Sequence, residues 1–166
     1  MSREESFLAQ PDFETNRLLL RKLKLADVQD MYEYSQDPDV CRFVTWDAHL
    51  SKQDTEQFLQ AILDQYENAF NFFWGIEWKE NKKLIGTIDF VNLSLPHKKA
   101  EIGYILSKEY WGKGIMTEAA KEIIKFAFTN LGLVRIEARC FKENIGSEKV
   151  MQKIGMKYEG TMRKAM

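Results

Sequence analysis

The segment that most limits what this chain can become is AEIGYILSKEYWGKGIMTEAAKEIIKF, residues 100–126. Ala100 to Leu106 reads as a strand. A short polar stretch follows, then Gly112 and Gly114, and then a helix from about Ile115 to Asn130. Ala120, Ile123, Ile124, Ala127, Phe128 and Leu131 fall at helical spacing, and Asn130 and Gly132 are suited to stop the helix. The first turn of any helix has unpaired N–H groups at the positive end of its dipole, which together form an anion site. Glycines without a Cβ let a ligand approach the backbone closely. Lys113 and Lys108 add positive charge nearby. A plain strand-to-helix connection is the competing reading of the same turn.

Two familiar phosphate loops fail here. A P-loop needs lysine followed by serine or threonine, and Lys113 is followed by Gly114. A dinucleotide fingerprint needs a third glycine where Thr117 stands. It also needs an early strand-helix-strand unit in a parallel sheet, which the order of elements does not supply.

The rest of the chain supplies that order. Arg17 to Leu23 reads as a strand. Asp27 to Ser35 is a helix with Val28, Met31, Tyr32 and Ser35 on one face, stopped by Asp37-Pro38. Ser51, with Asp54 three residues on, is an N-cap for a helix carrying Phe58, Leu59, Ile62, Leu63 and Tyr66. Strands are expected over Phe72–Trp78, Leu84–Asn92, Val134–Cys140 and Met156–Met162, and a short helix over Ile145–Ile154 with Gly155 behind it. Strand runs mixed with helices give an α+β fold with a mixed sheet. The strands flanking the long helix should be parallel, joined by a right-handed crossover.

The 166 residues fit one domain, and no linker or repeat divides them. Lys and Arg total 24 against 25 acids, so no strong field draws nucleic acid or an anionic membrane. The N-terminus is polar and lacks a signal-peptide core, and no run of about 18 apolar residues exists to span a membrane. A cytoplasmic location is the default. Cys41 and Cys140 sit among apolar neighbours and read as buried thiols, with no Cys/His cluster for zinc or any other metal.

A second constellation selects the ligand. In RIEARCFKENIGSEKVMQKIGMKYEG, Asn144 follows a strand, Ser147 comes three residues later, and a short helix ends in Ile-Gly-Met. With AEIGY and the glycine turn ahead of it, the pattern resembles the GNAT superfamily of N-acetyltransferases from about Glu14 to the C-terminus. It is most similar to the bacterial branch that acetylates the N-termini of ribosomal proteins. The resemblance implies a mostly antiparallel central sheet flanked by helices, splayed between the strands at 100–106 and 134–140, with acetyl-CoA in the cleft.

Roles follow from that resemblance. The family's pyrophosphate loop is matched at Gly112 and Gly114, so Trp111, Gly112, Lys113, Gly114, Ile115, Met116 and Thr117 are expected to cradle the cofactor. Glu109 departs from the family's Gln or Arg, and its side chain is expected to point away. Leu106 and Ser107 would run along the pantetheine arm, and Asn144 would contact the cofactor. Some relatives carry a tyrosine acid seven residues after that asparagine; here the position is Met151. Ser147, where the related branch has a serine near the thioester sulfur, is the candidate replacement. A helix N-cap is its alternative reading. A further strand or hairpin beyond Met166 is implied by the relatives, which leaves the sheet edge open to pairing and a homodimer as a candidate.

Acetyl transfer requires a deprotonated amine, a stabilised carbonyl oxygen and a protonated leaving thiol. Glu101, on the strand beside the cleft, is the first choice of base, with an ion pair on the strand face as its alternative. Asp89 and Glu137 are weaker choices. The oxyanion donor would be a backbone N–H near Ile105 or Leu106. His49 and His97 lie outside the matched motifs and read as loop residues. Phe43, Trp46, Phe70, Phe72 and Phe73 lie where the family walls its acceptor site, although each is as well explained by core packing. Asp30, Glu33, Asp37, Asp39 and Asp47 could face a basic acceptor or simply solvent. The acceptor is a protein N-terminus or a small amine, and a CoA-binding module without turnover is the third reading.

Overall fold

Alternating side chains in the strand segments sort onto two faces of one sheet, and each face is covered by helices. The computed structural model describes residues 10–67 and 71–164. Its strands are β1 (Phe13–Glu14), β2 (Leu18–Arg21), β3 (Phe73–Trp78), β4 (Lys83–Phe90), β5 (Lys99–Leu106) and β6 (Arg135–Glu137), which lie side by side in that order. Every pair is antiparallel except β5–β6, which is parallel. The helices are α1 (Val28–Ser35), α2 (Lys52–Gln65), α3 (Ile115–Thr129) and α4 (Ile145–Lys153). This is the α+β architecture expected.

Register assigns the faces. Leu20, Ile76, Trp74, Ile88, Tyr104, Phe90 and Ile102 share one face. They pack against Ile115, Met116, Ala119, Ala120, Ile123, Phe126 and Ala127 of α3. The alanines let the helix approach the sheet, and Phe126 completes an aromatic cluster with Phe13, Phe72 and Trp74. The buried stripe is rotated from the expected one. Phe126 is inside and Phe128 is 45% exposed. The other face carries Arg21, Gly75, Thr87 and Ile105, and beside them Phe73, Asp89 and Gly103. Over it lies a second core of Leu23, Met31, Tyr34, Val40, Leu59, Ile62 and Leu84. Ser51 caps α2 as its sequence predicts, its Oγ accepting from Asp54 N–H while Asp54 accepts from Ser51 N–H.

Two strand expectations need correction. The segment at 134–140 pairs only over Arg135–Glu137. The segment at 156–162 forms no strand. It is mostly exposed and is tethered to β6 by an ion pair from Arg135 to Glu159 (2.6 Å). A strand needs a partner edge along its length, and β6 presents three residues. Among the described residues, no helix is long and apolar enough to cross a membrane.

A buried ionic knot anchors α1 to the sheet. Arg21 on β2 donates to both carboxylate oxygens of Asp27 (2.9 Å each) and to Glu77 on β3 (3.0 Å). Asp27 also accepts from Lys24 N–H in the turn that opens α1. The Asp27 side chain is 4% exposed. Removing one member of a buried pair leaves the other uncompensated. Asp27→Ala is therefore expected to destabilise the protein by about 3–5 kcal/mol, read from the urea unfolding midpoint.

Candidate functional site

The parallel pairing of β5 with β6 stops at Glu101–Glu137. Beyond it, Ile102 to Leu106 stay paired with β4 while the chain after β6 leads away. The sheet therefore opens on the β6 side of β5. The glycine turn stands at the far end of this opening. Ser107 N–H donates to Ile85 carbonyl (2.7 Å) and ends the ladder, and a single 3-10 turn follows over Lys108–Tyr110. Trp111 folds back, its indole N–H donating to the Leu106 carbonyl (2.8 Å).

Gly112 and Gly114 both lie in the left-handed region, with φ of 74° and 73°. A Cβ there would be strained on any L-residue, so the backbone path itself requires glycine. Nothing lies within 4 Å of where a Cβ on Gly112 would sit. Gly114 is the N-cap of α3 and provides no side-chain cap, which leaves the N–H groups of the helix's first turn without a capping side chain. The turn is braced from behind by a residue that local sequence reading missed. Arg17 donates to the Lys113 carbonyl (2.9 Å) and to Glu118 in the first turn of α3 (2.9 Å). Its guanidinium comes within 3.8 Å of a Cβ placed on Gly114, with its charge paired to Glu118. Lys113 lies over the Tyr110 ring, whereas Lys108 is paired with Asp39. Glu109 is exposed.

Across the opening stands α4. Asn144 is its N-cap, its Oδ1 accepting from Ser147 N–H (3.1 Å). Ser147 is thereby released from the capping role. Its hydroxyl instead meets the Tyr104 hydroxyl of β5 at 2.7 Å, and Tyr104 also donates to the Ser147 carbonyl (3.2 Å). Burial raises the Tyr104 hydroxyl to about 12, opposed by this hydrogen bond. Across the opening β5 is thus joined to α4 by a Tyr–Ser contact, a partnership between distant segments that neither motif displays.

The acidic candidates lie on the other face of β5. Glu101, 12% exposed, accepts from Arg139 at 2.9 and 3.1 Å and from Asn92 at 3.0 Å. The ion-pair alternative is the geometry found for it. Glu137 is paired with Arg135, which holds its carboxyl below the usual range. Asp89 has no hydrogen-bond partner among the described residues. It stands opposite Gly103, and burial, reinforced by Glu101, pushes its carboxyl up to about 7.

Several other expectations shift. Cys41 is buried and Cys140 is exposed. His49 is half-buried between Trp46 and Phe58, bonded to Thr55 Oγ (2.7 Å), and only His97 is an exposed loop residue. Phe72 belongs to the α3-side core and Phe73 packs against the other. Phe43 of the α1–α2 connection meets Phe141 beyond β6, with ring centroids 6.1 Å apart. Phe70 lies outside the described residues. Asp30 accepts from Leu84 N–H, and Glu33 and Asp39 are paired with lysines. Among the described residues there is no cluster of His, Cys, Asp or Glu that could hold a metal ion.

Comparison with known proteins agrees with this geometry. Residues 17–157 match the family model described as the acetyltransferase (GNAT) domain. The uncharacterized N-acetyltransferase YoaA of Bacillus subtilis is 33% identical over 156 residues, which is 94% of this chain and 88% of that protein. Among solved structures, a GNAT-family acetyltransferase from Bacillus anthracis superposes with a TM-score of 0.82 at 31% identity, covering 94% of this chain and 89% of that one. A ribosomal-protein-S5-alanine acetyltransferase from Vibrio fischeri superposes with a TM-score of 0.81 at 26% identity, covering 95% and 88%.

Asp89 generates a stability test. Its folded-state value lies above the ordinary carboxyl value of 3.8, so its contribution is fully present below that value and is lost as the pH rises to about 7. Asp89→Asn, which never ionises, should melt increasingly above the parent protein between about pH 4 and 7 and hold a constant advantage beyond. A melting difference that does not change with pH would mean that Asp89 ionises as an ordinary surface acid.

Proposed function

The chain belongs to the GNAT acetyltransferase family, and from that premise we propose that it acetylates the α-amine of a protein N-terminus of the ribosomal-protein type, using acetyl-CoA. N-acetyltransferase activity of the GNAT kind follows from the family itself. The observation that carries the reading of the site is the opening of β5 from β6 with an uncapped helix N-terminus at its end. Acetyl-CoA supplies an activated acetyl thioester. The N–H groups of residues 112–117 and the Arg17 guanidinium suit its pyrophosphate, because the turn offers donors, positive charge and room above Gly112. Ile102 to Leu106 form the edge of β5 left unpaired by β6, where an extended arm running toward Leu106 and Ser107 can take up backbone hydrogen bonds. At the end of that edge Trp111 already holds the Leu106 carbonyl and Ser107 N–H is given to Ile85. Ser147, backed by Tyr104, is the hydroxyl that can hold a proton beside a leaving sulfur, and Asn144 orients it. Holding amine and thioester together in this groove supplies much of the rate.

The preference for a protein N-terminus rests on likeness to the ribosomal-protein acetyltransferase of Vibrio fischeri. A small amine is the alternative acceptor. Purified protein should be incubated with acetyl-CoA and either N-terminal peptides or polyamines and aminoglycosides, following release of free thiol. Release with peptides is expected. Release with small amines alone would replace the acceptor assignment, and tight CoA binding without release would mark a binding module. Gly114→Val should weaken CoA binding at least tenfold by forcing a β-branched residue into left-handed geometry; full affinity would overturn the cradle.

A further inference from the structure

For the half of the reaction that removes a proton from the amine, the carboxyls of Glu101 and Asp89 lie on the α1–α2 face of the sheet nearest the point where the strands part. They are not equivalent. Glu101 is spent on other partners: Arg139 engages both of its oxygens and Asn92 one of them. A carboxylate held this way has its oxygens committed to donors. Asp89 is two positions along the neighbouring strand, with no such partners among the described residues.

Asp89 also lies at the right point along the sheet. It faces Gly103, which is two residues beyond the last β5 residue paired with β6. Gly103 has no Cβ, and one placed there would come within 3.3 Å of Asp89 Oδ1 and 2.7 Å of Val91 Cγ2. The side chains of Val91 and Asp89 thus fill the space over Gly103, and this carboxyl lies close over the β5 backbone where the strands begin to part.

Resting on the acetyltransferase reading above, we propose that Asp89 is the catalytic base for the acceptor amine and that Glu101, held by Arg139 and Asn92, is a positioning residue beside it. The acceptor ammonium gives one proton to the Asp89 carboxylate. The nitrogen lone pair then forms a C–N bond to the thioester carbonyl carbon. The C–S bond breaks, its electron pair stays on sulfur, and the second N–H proton goes to that sulfur by way of Ser147. Asp89 returns its proton to water. The groups around Asp89 support this assignment. From β5 it meets the Glu101 charge, which Arg139 from beyond β6 balances. From the end of α2 comes Tyr66, whose hydroxyl is committed to Leu23 N–H and the Phe73 carbonyl. From β3 it meets the apolar Phe73. Burial and the Glu101 charge place its carboxyl at about 7, where a base is half ionised at neutral pH.

The test is the pH dependence of kcat/KM with an accepted amine. The parent enzyme should show an acid limb centred near pH 7. Asp89→Asn should lose that limb and about 100-fold in kcat/KM, with acetyl-CoA affinity kept. Glu101→Gln should retain turnover with the limb moved to lower pH, because the neighbouring charge is gone. If Asp89→Asn keeps both rate and limb, or if Glu101→Gln is the variant that loses them, the proposal is overturned while the acetyltransferase reading stands. A parent protein that acetylates no amine overturns both. Carbon-13 NMR of the aspartate carboxyls in the free protein is independent of any acceptor and of the variants' folding. Asp89 should titrate near 7, and a midpoint near 4 would also overturn the proposal.

Discussion

The parting of β5 from β6 after the Glu101–Glu137 pair governs the rest of the structure. Parallel strands normally continue their ladder, because an unpaired backbone amide away from water costs free energy. Here the ladder ends after three residue pairs, and Ile102 to Leu106 keep partners on one side only. What stands across the gap is α4, touching β5 through the Tyr104 and Ser147 hydroxyls. An open strand edge of this kind is where the proposed cofactor arm would find backbone hydrogen-bonding groups.

The two faces of β5 then divide the chemistry. The face toward α3 carries Tyr104 and leads to the glycine turn, where left-handed Gly112 and Gly114, an uncapped helix and Arg17 gather positive charge. The face toward α1 and α2 carries Glu101, Gly103 and Asp89, where burial and one fixed carboxylate gather proton-accepting capacity. The proposed donor and acceptor sites thus meet the same stretch of strand from opposite sides. Rigid supports hold both faces: the aromatic cluster around Trp74 on one, and the Arg21–Asp27–Glu77 knot on the other.

Much of this arrangement is legible in the sequence, and the division follows range. The glycine turn, the α3 helix, the Ser51 cap and the Asn144–Ser147 spacing are local patterns, and each reappears where its spacing puts it. The roles of individual side chains depend on partners far along the chain. Arg17 braces a turn about a hundred residues away, Tyr104 finds Ser147, and Arg139 claims Glu101. No period or motif encodes such meetings. Glu101 and Asp89 look alike in a strand segment, and only the three-dimensional neighbours separate a carboxylate committed to an arginine from one left without a partner. The strand expected at 156–162 failed for a similar reason, since its alternation is real but β6 is too short to pair with it.

The opening and the glycine turn together are the proposed CoA site. The most direct measurement is a backbone amide NMR titration of the protein with CoA. The largest shifts are expected on the amides of residues 102–107 and 112–117 and on Ser147. Shifts confined to another part of the sheet, or none at millimolar CoA, would contradict that site.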